Sequence, residues 1–197
     1  DEFLTWKKQI YTLCLKLSRS NGILSNLRHF IPLQLCKSVY YSIFYSYVLY
    51  GCLVWCYTNQ NNIERLMKLQ KQCTRLLTFS DFLAHTNPLF QRLNLLKITD
   101  VFILQKLFFM LDSFNSKTPV ELRQIFVFNK NIHSYETRSS ELFHLSKCNT
   151  TRYGLNSISY DGAKIWNEFF PLLHENNIFE KKALKIFMEK FLINKYI

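Results

Sequence analysis

The stretch IPLQLCKSVYYSIFYSYVLYGCLVW, from Ile31 to Trp55, decides the fold because no other part of the chain is apolar for so long. Its one charged residue is Lys37, and residues 38–58 form an uncharged run of 21. A run of this length is long enough to cross a bilayer. Spanning helices, however, keep tyrosine mostly at their two ends, whereas here tyrosines occur along the whole run.

A helix that is apolar all round is otherwise buried in the core of a larger protein. Tyrosine suits such a site because its ring is large and its hydroxyl group can find a hydrogen-bond partner. The stretch therefore predicts a buried helix, with core strands or a membrane span as the alternatives. Pro32 fits the first helical turn. Gly51 marks the point at which the helix bends or ends.

Composition favours a folded, mainly helical chain. The 197 residues are 48% hydrophobic and 16% aromatic, with only four glycines and four prolines. Such a chain is neither disordered nor rich in the turns of a β-sandwich. The net charge of +11 and the pI near 9.4 favour an anionic partner, nucleic acid ahead of a membrane surface. The alternative is a basic protein whose charge only keeps it in solution.

Hydrophobic periodicity predicts a series of helices joined by short links, which is typical of a bundle. The predicted helices cover residues 4–29, 32–55 with a bend or an end at Gly51, 63–78, 88–93, 99–114, 119–126, 159–169 and 178–196. Thr5 and the polar segment 58–62 are predicted helix caps, and Pro171 is predicted to stop a helix. The sequence becomes more polar near Phe128.

Beyond that point, Leu142–Leu145 and Arg152–Leu155 are short runs able to form strands. The fold class is thus mainly α: a helical bundle over residues 1–126, then a small α+β module over 127–197. This module would contain one or two short strands and a terminal amphipathic helix.

The helix predicted over residues 63–78 has the most one-sided basic surface in the chain. Its cations Arg65, Lys68, Lys71 and Arg75 lie opposite its apolar residues, and only Glu64 offsets them. Such a ridge either faces phosphates or is a solvated helix face.

No pattern of catalytic or metal-binding residues stands out. The chain has no paired carboxylates of the kind that hold two metal ions, and its histidines are scattered. Cys52 and Cys56 lie four residues apart, but no further ligands complete a zinc set. The cysteines are therefore expected to be thiols in a reducing compartment. These observations predict a chain that is not an enzyme and holds no metal or cofactor.

Several segments, in this order, resemble the C-terminal part of the reverse transcriptase of non-LTR (LINE-type) retrotransposons of the jockey-like group. They are LTWK at 4–7, LRHFIP at 27–32, the tyrosine helix with YYS at 40–42, YG at 50–51 and VW at 54–55, LQKQCTR at 69–75, HTNPLF at 85–90 with its continuation LNLLKI at 93–98, HSYETR at 133–138, and YDGAKIWN at 160–167. Each motif is weak alone, but their shared order covers nearly the whole chain. Ala163 departs from the pattern, which usually has proline there. Cys52 and Cys56 stand where glycine or apolar residues are more usual.

The resemblance implies that this chain is a thumb and C-terminal extension, and that the paired catalytic aspartates, with their Mg²⁺, lie upstream of Asp1. A thumb contacts the backbone of the primer–template duplex. The resemblance implies backbone contact through Lys68, Lys71 and Arg75. Tyr135, Arg138, Arg152 and Lys164 either contact RNA or pack the C-terminal module. The implied partners are an RNA template, an RNA–DNA duplex and the upstream fingers and palm, without a membrane or small-molecule substrate. The implied location is intracellular, cytoplasmic and nuclear. The alternative is a decayed or domesticated remnant that serves as a structural or protein-interaction domain.

Overall fold

The computed structural model of the chain describes residues 4–132 and 139–196, apart from the side chains of Arg152 and Tyr153. These residues are mainly helical, as the sequence predicts. The α-helices are α1 (Lys7–Leu27), α2 (Leu33–Val39), α3 (Ser46–Leu49), α4 (Cys52–Trp55), α5 (Gln60–Thr78), α6 (Asn87–Leu93), α7 (Ile98–Phe114), α8 (Val120–Arg123), α9 (Ala163–Glu175) and α10 (Lys181–Asn194). No described helix is both long enough and apolar enough to span a membrane.

The chain forms two compact units. Unit 1 comprises Asp1–Phe102 and Glu189–Ile197, and unit 2 comprises Ile103–Met188. Helices α7 and α10 each contribute residues to both units, so these limits differ from the predicted division between residues 126 and 127. That division stays a prediction.

In unit 1, α1 begins at Lys7 with Trp6 in the left-handed conformation and without a side-chain cap, so the predicted cap at Thr5 is wrong. Its stripe of Ile10, Leu13, Leu17 and Leu24 is buried, as its spacing predicts. The polar middle of α1 does not loosen the helix. Ser20 and Asn21 are buried on the same face, because their side chains bond backbone carbonyls, Ser20 Oγ with Lys16 O and Asn21 Nδ2 with Leu69 O.

The tyrosine-rich stretch forms one rod from α2 through a π-helical segment, Tyr40–Tyr45, into α3. Its buried residues Cys36, Tyr40, Phe44 and Val48 are each four apart. Residues four apart drift around an ordinary α-helix, which has 3.6 residues per turn. The wider i→i+5 turns of a π-helix counter this drift. The π-helical segment thereby keeps the stripe on one face of the rod.

The prediction of a helix is confirmed here, but the prediction that it is buried holds for one face only. Leu35 is 54% exposed and Tyr50 is 79% exposed on other sides of the stretch. Gly51 ends the rod as predicted. Its φ of 61° lies in the left-handed region, which a side chain disfavours, and α4 starts directly after it.

Unit 2 has an aromatic core. The ring of Phe143 stacks on that of Phe128 with centroids 4.6 Å apart, and Phe114 lies 5.3 Å from the fully buried Trp166. Phe128 and Phe143 also form an isolated antiparallel bridge, and no strand occurs among the described residues. The predicted strand at Leu142–Leu145 is therefore limited to this bridge.

A side chain takes the place of a second strand beside Phe143. The Phe143 N–H donates to Asn167 Oδ1 at 2.9 Å, and Asn167 Nδ2 donates to the Phe143 carbonyl at 2.7 Å. Because these groups are satisfied by an amide, no neighbouring strand is needed.

The second predicted strand, Arg152–Leu155, is wrong, because Thr151–Leu155 forms a π-helical turn. At Gly154 a Cβ atom would lie 2.7 Å from Cys148 Cβ, so the turn depends on the absence of a side chain. A second π-helical turn, Ile158–Gly162, leads into α9.

Helix α9 continues through Pro171, which the sequence predicts as its end. An internal proline costs about 3 kcal/mol because it removes a helical hydrogen bond. Trp166, Phe169, Phe170 and Leu173 are buried along this helix, on both sides of the proline in sequence. Their burial, at roughly 2 kcal/mol for each large side chain, outweighs that cost.

Candidate nucleic-acid interface

Helices α1 and α5 run in the same direction. Asn21 Nδ2 donates to Leu69 O at 3.0 Å, and Arg28 Nη1 donates to Leu76 O at 2.8 Å. At the other end, Thr58 Oγ1 donates to Thr5 O at 2.9 Å. Residues on α1 therefore meet residues about 50 positions later all along the pair, which places both helix N-termini at the same end.

The α1–α5 pair carries most of the basic surface of unit 1. The two helices contain eight cations and a single acid, Glu64; the cations are Lys7, Lys8, Lys16, Arg19, Arg65, Lys68, Lys71 and Arg75. Among the described residues, no carboxylate lies within ion-pair distance of any of them. Unit 1 as a whole has 14 Lys and Arg against six Asp and Glu, whereas unit 2 has 11 against eight. Consecutive thirds of the sequence carry nearly equal net charge, so the sequence alone does not show this imbalance.

Three of the sequence-predicted contact residues lie together on α5, but in different surroundings. Lys68 is exposed and Lys71 is half-buried. Arg75 is also half-buried, because its Nε donates to the carbonyl of Ala84 at 3.0 Å and so holds the loop that follows α5. Arg75 thus has a structural partner that Lys68 does not share. Arg65, which was left out of the predicted contact residues, is exposed next to Lys68.

A groove of about 350 Å³ lies between α1 and α5. Tyr11, Cys14 and Leu15 line it from α1, and Arg65 and Lys68 line it from α5. Burial raises the pKa of the Cys14 thiol, and the Arg65 cation partly offsets that rise. The groove therefore has an apolar wall facing a cationic wall.

The basic face continues from Lys71 to Lys97. Burial lowers the pKa of Lys97, Asp100 opposes this shift, and the Lys71 cation adds to it. Lys97 Nζ lies 4.0 Å from the centre of the Tyr196 ring. The Tyr196 hydroxyl donates to the Asp100 carboxylate and accepts from the Lys97 N–H, which anchors the end of the chain within unit 1.

Gln70 fixes α5 in place, a role that the sequence pattern does not predict. It is 0% exposed. Its Nε2 donates to the Tyr40 hydroxyl at 3.0 Å and to the Leu96 carbonyl at 2.8 Å, and its Oε1 accepts from the Ile98 N–H at 2.9 Å. These bonds use all but one of the hydrogen-bonding positions of the amide. The basic face of α5 is therefore presented by a helix whose rotation is fixed.

The other predicted contact residues do not belong to α1 or α5. Lys164 is exposed in the first turn of α9, in unit 2. Tyr135 and Arg138 lie outside the described residues. Arg152 belongs to the π-helical turn of unit 2, and its side chain lies outside the description.

The described residues contain no group of three or more His, Cys, Asp or Glu side chains placed to hold a metal ion. No protein-family model matches the chain, and no curated protein or solved structure matches it. The two helices present cations on a regular backbone, an arrangement that is able to bind phosphate groups.

Proposed function

We propose that this chain is the thumb and C-terminal region of a LINE-type retrotransposon reverse transcriptase, and that it contacts the backbone of the primer–template duplex. The observation that carries the proposal is the α1–α5 pair, with its eight cations and one acid. Cations on a fixed surface neutralise phosphates and release counterions, without reading base sequence.

Within this proposal the chain is not itself an enzyme and holds no cofactor. Catalysis and Mg²⁺ binding belong to a palm upstream, and the partners are the RNA template, the RNA–DNA duplex and that palm. Residues 1–126 form the thumb-like bundle and residues 127–197 the extension, with Lys164, Arg152, Arg138 and Tyr135 as further contacts to RNA. The protein works inside the cell, in cytoplasm and nucleus, without a membrane.

The order of the sequence motifs supports the family assignment. It is independent of the charge on α1 and α5, because most of the matching residues are aromatic, apolar or small. The motif LQKQCTR combines a buried residue, Gln70, with a residue of the basic face, Lys71.

A second candidate function is a structural or protein-interaction role as a transposon remnant. Phe30, Phe82 and Leu83 favour it, because each is more than three-quarters exposed. Exposed apolar side chains of this size are typical of protein contacts when they form a patch.

The test is binding to an RNA–DNA duplex across a salt series. The double variant Lys68→Ala/Lys71→Ala is expected to weaken binding and to reduce the slope of log affinity against log salt by about one to two units. The control Lys117→Ala/Lys182→Ala removes the same charge from exposed positions in unit 2. It should retain most of the affinity and the slope.

Arg75→Ala sharpens the assignment within α5. It removes the bond to Ala84, so we expect faster proteolysis of the 80–86 loop and a loss of about 1–2 kcal/mol of stability. Lys68→Ala should leave both unchanged. Equal losses of affinity in the α5 double variant and its control would contradict the proposed face. Absence of duplex binding at roughly 50 mM salt would favour the remnant role.

A further inference from the structure

A second groove, of about 290 Å³, lies on the other side of α1, against the end of the tyrosine-rich rod. Gln9, Thr12 and Lys16 line it from α1, and Ser46, Tyr47 and Tyr50 line it from the rod. All of these residues belong to unit 1. The proposed backbone contact through α5 gives this groove no role.

Tyr50 is 79% exposed, yet both its backbone N–H and its backbone carbonyl are held by hydrogen bonds. Its N–H donates to Ser46 O at 3.1 Å, and its carbonyl accepts from Trp55 Nε1 at 2.8 Å. Trp55 is buried and packs edge-to-face on Phe102, with ring centroids 5.3 Å apart. The left-handed Gly51 then turns the chain away. The exposed ring of Tyr50 therefore projects from a fixed point, so a ligand that covers it has little backbone entropy to remove.

A cation accompanies the exposed rings. Lys16 Nζ lies 5.1 Å from the centre of the Tyr47 ring, which is 36% exposed. This contact places an ammonium group at the groove, and Lys8 lies two helical turns earlier on the exposed surface of the same helix. Aromatic rings beside cations are typical of sites that stack bases and hold the phosphates between them.

The hydroxyl groups of Thr12 and Ser46 in this groove are already in use. Thr12 Oγ1 donates to Lys8 O and Ser46 Oγ donates to Tyr41 O, each at 3.0 Å. Neither of these two protons is available for a hydrogen bond to a base edge. Stacking does not need such bonds, because every base has a flat face.

We propose that this tyrosine groove holds unpaired nucleotides of a strand that leaves the duplex, with Tyr50 and Tyr47 stacking on the bases and Lys16 contacting a phosphate. The inference rests on the proposed function and extends it from the duplex to the single strand. The positive charge of unit 1 favours a nucleic-acid strand as the occupant of the groove. The groove belongs to the unit with 14 Lys and Arg against six Asp and Glu, and its walls carry ammonium, amide, hydroxyl and aromatic groups around the buried Leu13.

The experiment compares a blunt RNA–DNA duplex with the same duplex carrying a short single-stranded overhang, made once as RNA and once as DNA. A fluorescent purine in the overhang reports stacking. Wild-type protein should bind the overhang duplex more tightly and quench the purine. Tyr50→Ala should remove this gain, by about fivefold or more, and leave blunt-duplex affinity unchanged.

Two substitutions at the same position separate stacking from apolar contact. Tyr50→Phe keeps the ring and should keep the affinity and the quenching, whereas Tyr50→Leu should behave like Tyr50→Ala. The matched control is Phe82→Ala, which removes an equally exposed ring outside the groove and should have no effect. Equal effects on RNA and DNA overhangs indicate stacking alone, and a loss confined to RNA adds contact with the 2′-hydroxyl.

Two results would overturn the inference. If Tyr50→Leu binds the overhang duplex and quenches the purine like wild type, Tyr50 does not stack on a base and the inference fails. If the overhang adds no affinity or quenching to a well-bound blunt duplex, the groove holds no bases and the proposed backbone contact stands. If the blunt duplex is not bound but an isolated single strand is bound and quenched through Tyr50, the backbone contact fails and the tyrosine groove stands.

Discussion

The two units fix their backbones in different ways. Unit 1 consists mainly of regular α-helices, with one π-helical segment at Tyr40–Tyr45. Buried polar side chains hold these helices together, and Gln70 and Asn21 bond backbone groups of neighbouring segments. Unit 2 packs much irregular backbone around aromatic rings, with π-helical turns at Thr151–Leu155 and Ile158–Gly162. In this molecule, the unit with the more regular backbone also carries the larger excess of positive charge. Repulsion between like charges is tolerable there because interior hydrogen bonds hold each helix in place.

Removing the buried amide of Gln70 in unit 1 should have the largest effect on stability. Gln70→Leu leaves the Ile98 N–H and the Leu96 carbonyl without their partner in a buried site, along with the Tyr40 hydroxyl. Each stranded group costs about 1–3 kcal/mol, so we expect a loss of about 3 kcal/mol or more. Urea unfolding followed by circular dichroism measures it, and hydrogen exchange should locate the loss in unit 1.

The control for this change is on the same helix. Gln72 is exposed, so Gln72→Leu should stay within about 0.5 kcal/mol of wild type. Comparable losses of stability in the two variants would mean that the hydrogen bonds of the Gln70 amide do not contribute to stability.

The corresponding change in unit 2 is Asn167→Ala. It removes both bonds to the Phe143 backbone, where a strand would otherwise be required, and should cost about 2 kcal/mol. Amide exchange should rise around residues 142–144 and remain unchanged in unit 1. Asn149→Ala, at an exposed position of the same unit, is the matched control and should be neutral. Exchange that rises equally in both units would show that they are not fixed independently.

The smallest effect concerns pH. Burial raises the pKa of Asp100 above its ordinary 3.8, although the Tyr196 hydroxyl and Lys97 oppose the rise. A carboxyl group with a raised pKa in the folded state contributes stability that is full below its unfolded pKa and is lost as pH rises through its folded pKa. Asp100→Asn cannot ionise and lacks this loss. Its stability relative to wild type should therefore increase across that range, as measured by urea unfolding at a series of pH values. A constant difference between the two proteins would contradict a raised pKa.

Patterns that depend on one helix were predictable from the sequence. The buried stripe of α1, the break at Gly51 and the cap of α5 at Asn59, whose side chain accepts from the Asn62 N–H, all follow from local spacing and residue type. The cluster of Lys68, Lys71 and Arg75 on one helix follows from spacing too.

Features set by tertiary partners were not predictable. Gln70 looks like a surface residue in sequence, and its burial depends on three groups outside its helix. Pro171 ends a helix by local rules, but burial on both sides of it prevails. Nothing near Leu142–Leu145 indicates that the side chain of Asn167 replaces a strand. The exposed outer face of the rod was not predictable either, because residue type alone does not show on how many sides a helix is covered by other segments.

The parallel course of α1 and α5 has a consequence for how this sequence can vary in length. Two parallel helices require the connecting chain to travel back along the first, which is about 30 Å for the 21 residues of α1. The rod from Leu33 to Leu49 makes that return as almost continuous helix. One residue added or deleted there would turn everything after it by about 100° and shift it by about 1.5 Å. We therefore expect insertions and deletions to be tolerated in the loops at 80–86 and 115–119, and the rod to tolerate substitution only at constant length.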